Sequence, residues 1–306
     1  MRPYVALGAM LLLATAVLAD AATFASEKTL DLGIGYRRAD LDWNIGGGIL
    51  GPNIISELTW SDLEIIELRG KLTFDLDNDS YLEASLAYGW INDGENQDSD
   101  YKGDNRTLEY SRSNNDGDGD DVLDLAAGWG PRLLYPNAAT GRTLRVIPLI
   151  GLSYHEQNLR ITDGFQTIPP LGPFPGLNST YDTEWWGPWF GIDLQQGAGE
   201  GFTMFGRYQF HLAEYYAAAN WNLRDDFAHP KSFEHEADGT GHVVSIGALY
   251  QLRQHFSLRA DLRYETWSTD PGTTRFFLAD GRVGVQPLNE VNWESWAINL
   301  GVEHRF

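Results

Sequence analysis

Carboxylates recur at every second position in two places, and that spacing puts oxygen ligands or proton carriers on a common side. Asp98 and Asp100 are one residue apart, so a strand would carry both on one face. Asp116-Gly117-Asp118-Gly119-Asp120 alternates acid with glycine, a pattern able to hold Ca²⁺ through oxygen. That cage is incomplete. Ala127 stands where a calcium loop needs its bidentate glutamate, and Asp with Gly forms turns without a metal. Both groups lie in Asn92–Asp121, which holds ten acidic and three basic residues, so a solvated acidic loop accounts for them. No metal or other cofactor is expected. A third group, Tyr154, Glu156, Asn158 and Arg160, shares one face of a strand by the same two-residue rule.

Composition narrows what such residues could serve. The chain has no cysteine, which excludes disulfides, thiolate metal sites and a cysteine nucleophile. It carries 43 acidic and 22 basic residues, a balance that excludes nucleic acid as a partner, because phosphate contact needs a basic face. There are 33 glycines, 11 tryptophans, 14 tyrosines and 14 phenylalanines, yet the mean hydropathy is −0.33. That mixture fits a barrel with apolar side chains outward and polar ones inward. At the start, Arg2, the apolar run Val5–Leu18 and the small residues Ala19 and Ala21 form a secretory signal over 1–21. Residues 22–306 then form one barrel domain.

The elements that must position these groups are strands. In the last one, Trp296, Ile298, Leu300, Val302 and Phe306 alternate with Ser295, Asn299, Glu303 and Arg305. Phe256, Leu258, Ala260, Leu262 and Tyr264 alternate with Ser257, Arg259, Asp261, Arg263 and Glu265. The pattern recurs at Leu30–Arg37, Ile66–Phe74, Leu82–Trp90, Leu123–Trp129, Leu144–Ser153, Trp186–Leu194, Phe202–His211 and Val244–Leu252, about ten strands in all. Short turns are expected near Asp77–Asp79, Gln196–Glu200 and Arg253–His255, with a longer one at Pro136–Arg142. Long polar loops are expected near Asp40–Pro52, Asn92–Asp121, Thr162–Tyr181, Leu223–Gly241 and Asp270–Glu290. The fold class is therefore all-β, a transmembrane antiparallel up-and-down barrel in an outer membrane. Interleaved inward charges (Glu67 with Arg69 and Lys71, Arg259 to Glu265) predict ion pairs between neighbouring strands. Ten strands enclose side chains and some water, which argues against a general-diffusion porin.

Particular runs carry a family resemblance. Ser56-Glu57-Leu58-Thr59-Trp60 with Ile65 and Ile66, and Asp98-Ser99-Asp100-Tyr101, resemble the omptins, ten-stranded outer-membrane proteases of the aspartyl type. Tyr36–Trp43, the Ser56–Trp60 run and Asp98–Asn115 are also similar to the Protochlamydia-type outer-membrane proteins, a group with an omptin-like barrel. Terminal Phe306 resembles the signal read by the barrel assembly machinery. The omptin likeness implies an acidic pair on one wall, matched by Asp98 and Asp100, facing an Asp-x-His couple that activates water. The second wall departs from that pattern, since Asn220-Trp221-Asn222 stands where the couple falls. The nearest substitutes are Asp226 with His229, offset by one residue, or Glu234-His235-Glu236. The likeness also implies lipopolysaccharide on an outward Tyr, acidic and basic set. Tyr154 and Glu156 fit it, Asn158 stands where a base is expected, and Arg160 is the nearby base on the same face. Outer-membrane lipid and lipopolysaccharide are thus the expected partners. The expected function is a non-enzymatic barrel, structural, surface-interacting or passing small solutes, with an omptin-like endopeptidase for basic peptides as the alternative.

Overall fold

The computed structural model describes residues 25–306, so the secretory signal and its cleavage at Ala19 or Ala21 lie outside the described residues. The described residues are all-β, with fourteen strands in one antiparallel sheet. They are β1 (Ala25–Ile45), β2 (Ser56–Leu76), β3 (Ser80–Gly103), β4 (Thr107–Asp116), β5 (Asp121–Pro131), β6 (Leu133–Asn137) and β7 (Arg142–Ile168). The others are β8 (Gly172–Pro173), β9 (Asn178–Gly199), β10 (Phe202–Asn220), β11 (Phe233–Arg253), β12 (Phe256–Thr269), β13 (Gly272–Phe277) and β14 (Val283–Arg305). β4, β5 and β6 are successive pieces of one stave between β3 and β7, and β12 and β13 are pieces of another between β11 and β14. With the two-residue β8 set against β7 alone, the ring has ten staves. β1 pairs with β14 from Thr29↔Arg305 to Ile45↔Leu288 and closes it.

The staves are far longer than a bilayer requires. β1 has 21 residues and β7 has 27, whereas about ten tilted residues cross the apolar layer. The stretches expected to be long polar loops are therefore mostly strand. Asn92–Asp121 is the upper end of β3, a three-residue turn, all of β4, a four-residue link and the first residue of β5, and Thr162–Tyr181 is largely the top of β7 and the start of β9. Asp40–Pro52, Leu223–Gly241 and Asp270–Glu290 likewise give only part of their length to loop. Polar composition marked the water-facing wall of these strands rather than absence of pairing.

The alternation keeps its period but exchanges its faces along each stave. Low on β1, Leu32 and Ile34 face outward and are exposed, while Asp31 and Arg37 face the lumen. Higher on the same strand Arg38, Asp40 and Asp42 face outward, and Ala39, Leu41, Trp43 and Ile45 are buried inside. β14 repeats this, with Trp296, Ile298 and Leu300 outward below and Trp293, Val291 and Leu288 buried above. Lipid contacts the lower wall and water the upper one, so each half buries apolar groups on the side away from its own solvent.

Inside the lower half the inward charges are paired, across neighbouring strands in part and otherwise along one strand or across the lumen. Arg37 bridges Glu67 and Asp124 at 2.6 and 2.5 Å, and Lys71 and Arg207 share Glu83 at 2.8 and 2.5 Å. Arg259 joins Asp31 and Asp261, and Arg263 joins Glu265. The upper lumen is a continuous apolar core containing Trp43, Trp60, Tyr181, Trp185, Tyr215, Trp267 and Trp293. Glycine makes room for indoles in so narrow a tube. A Cβ on Gly151 would come within 2.5 Å of the Trp189 ring, and one on Gly241 within 2.4 Å of Trp267.

Candidate functional site

Asp98 and Asp100 reach the upper mouth of the barrel on the inward face of β3. Register places them there, because Asp98 pairs with buried Leu58 of β2 and Ser113 of β4, and Asp100 with Ser56 and Ser111. Ser56 and Ser111 also hydrogen-bond the Asp100 carboxylate. Burial, followed by the charge of Asp100, pushes Asp98 up to about 8. Burial raises Asp100 as well. Two carboxylates so close in a half-buried cleft resist losing both protons. The β-strand expectation for this pair holds, and the pair is one unit.

What faces it comes from the opposite wall, and it is not a histidine. The loop between β10 and β11 (residues 221–232) brings the Trp221 indole to Asp98, which accepts its N–H, and Arg224 to within electrostatic reach of both acids. The loop is held in place by Asn222, whose Oδ1 accepts from the backbone N–H of Asn178 and whose Nδ2 donates to the carbonyl of Gly176. Arg224 forms a two-pronged pair with Asp226 at 2.8 and 2.9 Å and lies over the Phe227 ring. Asp226 is thus engaged, and the Arg224 hydrogen bonds lower its pKa. His229 Nδ1 is bound to Asn220 Oδ1 at 2.7 Å. Asp226 and His229, grouped by their sequence spacing, each hold a partner of their own here. His235 is placed differently. It is fully buried in the upper core, bonded to Tyr181 Oη at 2.8 Å and lowered to about 3 by burial. Trp221 and Arg224 were missed as site residues because only tertiary structure brings their loop across the mouth.

Asp116, Asp118 and Asp120 do not form a cage. The segment links β4 to β5, Gly119 takes a left-handed φ of +80°, and Asp120 pairs with Arg160 at 3.2 Å. Among the described residues, no group of three or more His, Asp or Glu side chains could hold a metal ion.

On the outer wall Tyr154 donates to Glu156 at 2.5 Å, and Asn158 donates to Glu156 and Asp121 at 2.9 and 2.7 Å. Arg160 donates to the Gly119 carbonyl, Asn178 and Asp120. Glu184 pairs directly with Glu156 across β7 and β9 and is raised to about 7, first by burial and then by Glu156 and Asp182. This patch is one face, as its spacing predicts, but its surroundings are acidic. At the other end of the barrel Phe306 stacks edge-on with His304 and closes the last strand, its backbone N–H bound to the Lys28 carbonyl.

Comparison with known proteins agrees with the architecture. The family model for the Protochlamydia outer membrane proteins matches residues 31–306. No curated protein sequence matches the chain. Among solved structures, the outer membrane protease OmpT of Escherichia coli superposes with a TM-score of 0.76 at 14% identity, covering 92% of this chain and 97% of that one. OprG of Pseudomonas aeruginosa has a TM-score of 0.36 at 13% identity, with 92% and 96% covered. The translocator domain of NalP from Neisseria meningitidis also scores 0.36, at 10% identity, with 95% and 93% covered. The first likeness is one of fold, and the other two are slight.

Proposed function

Because the chain belongs to the Protochlamydia outer membrane protein family, we propose that it is a closed outer-membrane barrel working at the cell surface through its tall extracellular wall and mouth. The single observation that carries this reading is the apolar core across the upper lumen. Trp60, Trp185 and Trp293 are each 1% exposed, and side chains from both sides of the ring meet there. An open bore would leave such rings in water at a cost of roughly 25 cal/mol per Å² of apolar surface. The mouth above this core is a shallow cleft with an acidic pair, an indole and a guanidinium, which supports binding rather than hydrolysis. The outward Tyr154, Glu156 and Arg160 belong to the same surface. Tyr154 donates to Glu156, and Arg160 is engaged by Gly119, Asn178 and Asp120, so contact with lipopolysaccharide phosphates would have to proceed through Arg160 or a bridging cation. Phe306 is the expected contact for barrel assembly.

Planar-bilayer recording of the refolded chain tests the closed bore, with no discrete conductance steps expected. Steps of uniform size would overturn it. A companion assay for cleavage of basic peptides in lipopolysaccharide-containing micelles separates the surface role from a peptidase. Cleavage that disappears in Asp98→Ala plus Asp100→Ala would transfer the function to the mouth acids.

A further inference from the structure

Beneath the aromatic core, at the inner end of a polar cavity of about 330 Å³, two histidines stand outside everything above. His155 on β7 and His211 on β10 are 4% and 2% exposed. Each has Nδ1 fixed to the wall and Nε2 buried without a hydrogen-bond partner. His155 Nδ1 lies 3.0 Å from Asp124 Oδ1, and His211 Nδ1 lies 2.9 Å from Ser153 Oγ. An ionised carboxylate only accepts, so Nδ1 of His155 donates to Asp124, and a metal ion would take the lone pair of the neutral ring at Nε2. The serine hydroxyl can accept in the same way from His211. Fixing one imidazole nitrogen as donor to a wall oxygen orients the other as a metal ligand.

The spacing fits one shared ion. Two imidazoles bound through Nε2 at roughly 2.0 Å each hold their ring centres about 5 to 6.5 Å apart, and these lie 5.6 Å apart. The rings also share a neighbour, Trp267, at 4.4 and 4.7 Å, whose indole face favours a cation. Charge selects the kind of ion. Asp124, Glu67 and Glu265 are already paired with Arg37, Arg69 and Arg263, leaving no surplus carboxylate to stabilise a divalent ion. A singly charged ion with affinity for imidazole nitrogen costs least. We propose that His155 and His211 bind a monovalent transition-metal ion, cuprous copper in kind, reached through the periplasmic end of the lumen near Glu303 and Arg305. This site is independent of the surface role above.

The test is titration of the purified full chain with Ag⁺, a redox-inert stand-in, and anaerobically with Cu⁺. Met204→Leu and His229→Gln, His242→Gln, His255→Gln and His304→Gln would be built in first to remove competing donors outside the lumen, and the chain has no cysteine to interfere. One tightly held ion per chain is expected, with quenching of tryptophan fluorescence. His155→Gln or His211→Gln should each weaken binding by more than about tenfold. Retention of the ion by both variants, or no retention by the parent, overturns the proposal. Should the variants fail to fold, X-ray absorption of the Cu⁺-loaded parent decides it: two imidazole ligands support the site, and fewer than two overturn it. Zn²⁺ bound more tightly than Ag⁺ at the same residues would overturn the choice of a monovalent ion.

Discussion

Below Arg37 the staves turn Leu32, Ile34, Leu68, Ile298 and Leu300 outward and hold charges inside. Above it the same staves turn Asp40, Asp42 and Glu294 outward and hold Trp43, Trp60 and Trp293 inside. The lower half meets hydrocarbon and needs a polar filling that is internally paired. The upper half meets water and has the section of a soluble barrel, with a dry centre. One backbone pattern thus serves two solvents, and only the identity of alternate residues changes along the strand. The lesson is that period alone says where a strand runs, whereas the sign of the alternation says what surrounds it.

The strongest way to break this comparison is to empty the dry half. Trp60→Ala and Trp185→Ala each delete a fully buried indole, at about 3–5 kcal/mol apiece. Chemical unfolding in detergent should register the loss, and the double variant should also give measurable conductance in bilayers. A double variant that stays silent would mean the closure lies elsewhere. Next is the paired half. Arg37→Ala strands Glu67 and Asp124 without their shared cation, at about 3–5 kcal/mol. Slower recovery of the heat-modifiable folded band on gels would report it. If Arg37→Ala unfolded no more readily than the parent, water rather than pairing would be neutralising the lumen.

A smaller effect sharpens the boundary itself. Leu262 and Ser268 both face outward on β12, six residues apart, the first against lipid and the second in water. Arginine at Leu262 should cost about 2–4 kcal/mol if it sits near the bilayer midplane, and arginine at Ser268 close to nothing. Equal costs at the two positions, measured by unfolding in lipid vesicles, would place the water boundary wrongly.

Ten strands and their closure were legible in the sequence because lipid-facing rows such as Phe256 to Tyr264 alternate without interruption. The inward ion pairs were legible for the same reason. The upper half reads as loop because Asp40, Asp42, Asn92 and their neighbours are polar, while the strand signal lies in the inward Leu41, Trp43 and Ile45 between them. Spacing alone marks Asp98 and Asp100 as a pair, whereas nothing in the sequence marks the groups that face them. Trp221 and Arg224 owe their place to a loop anchored by Asn222, and no local pattern encodes which wall such a loop will lean across. His155 and His211 sit 56 positions apart and meet only through closure of the ring.

The smallest effect concerns the mouth, where the dry half ends in titratable groups. Asp98 keeps its proton to about pH 8 in the folded chain because burial and Asp100 oppose its ionisation. An unfolded aspartate loses that proton near pH 3.9. Between those values the folded chain binds more protons than the unfolded one, so stability falls as pH rises across the window. Solvent at the open cleft screens part of the penalty, leaving on the order of 2 kcal/mol. Denaturant midpoints at pH 5 and pH 8.5 should therefore differ, with the alkaline one lower, and Asp98→Asn should shrink that difference. Other raised acids such as Glu184 act in the same direction, so the comparison that counts is variant against parent at both pH values. Arg224→Gln should widen the parent's difference, since its positive charge favours the ionised pair. If Asp98→Asn leaves the pH difference unchanged, the pair ionises freely in the folded barrel and the mouth belongs to the wet wall instead of the dry core beneath it.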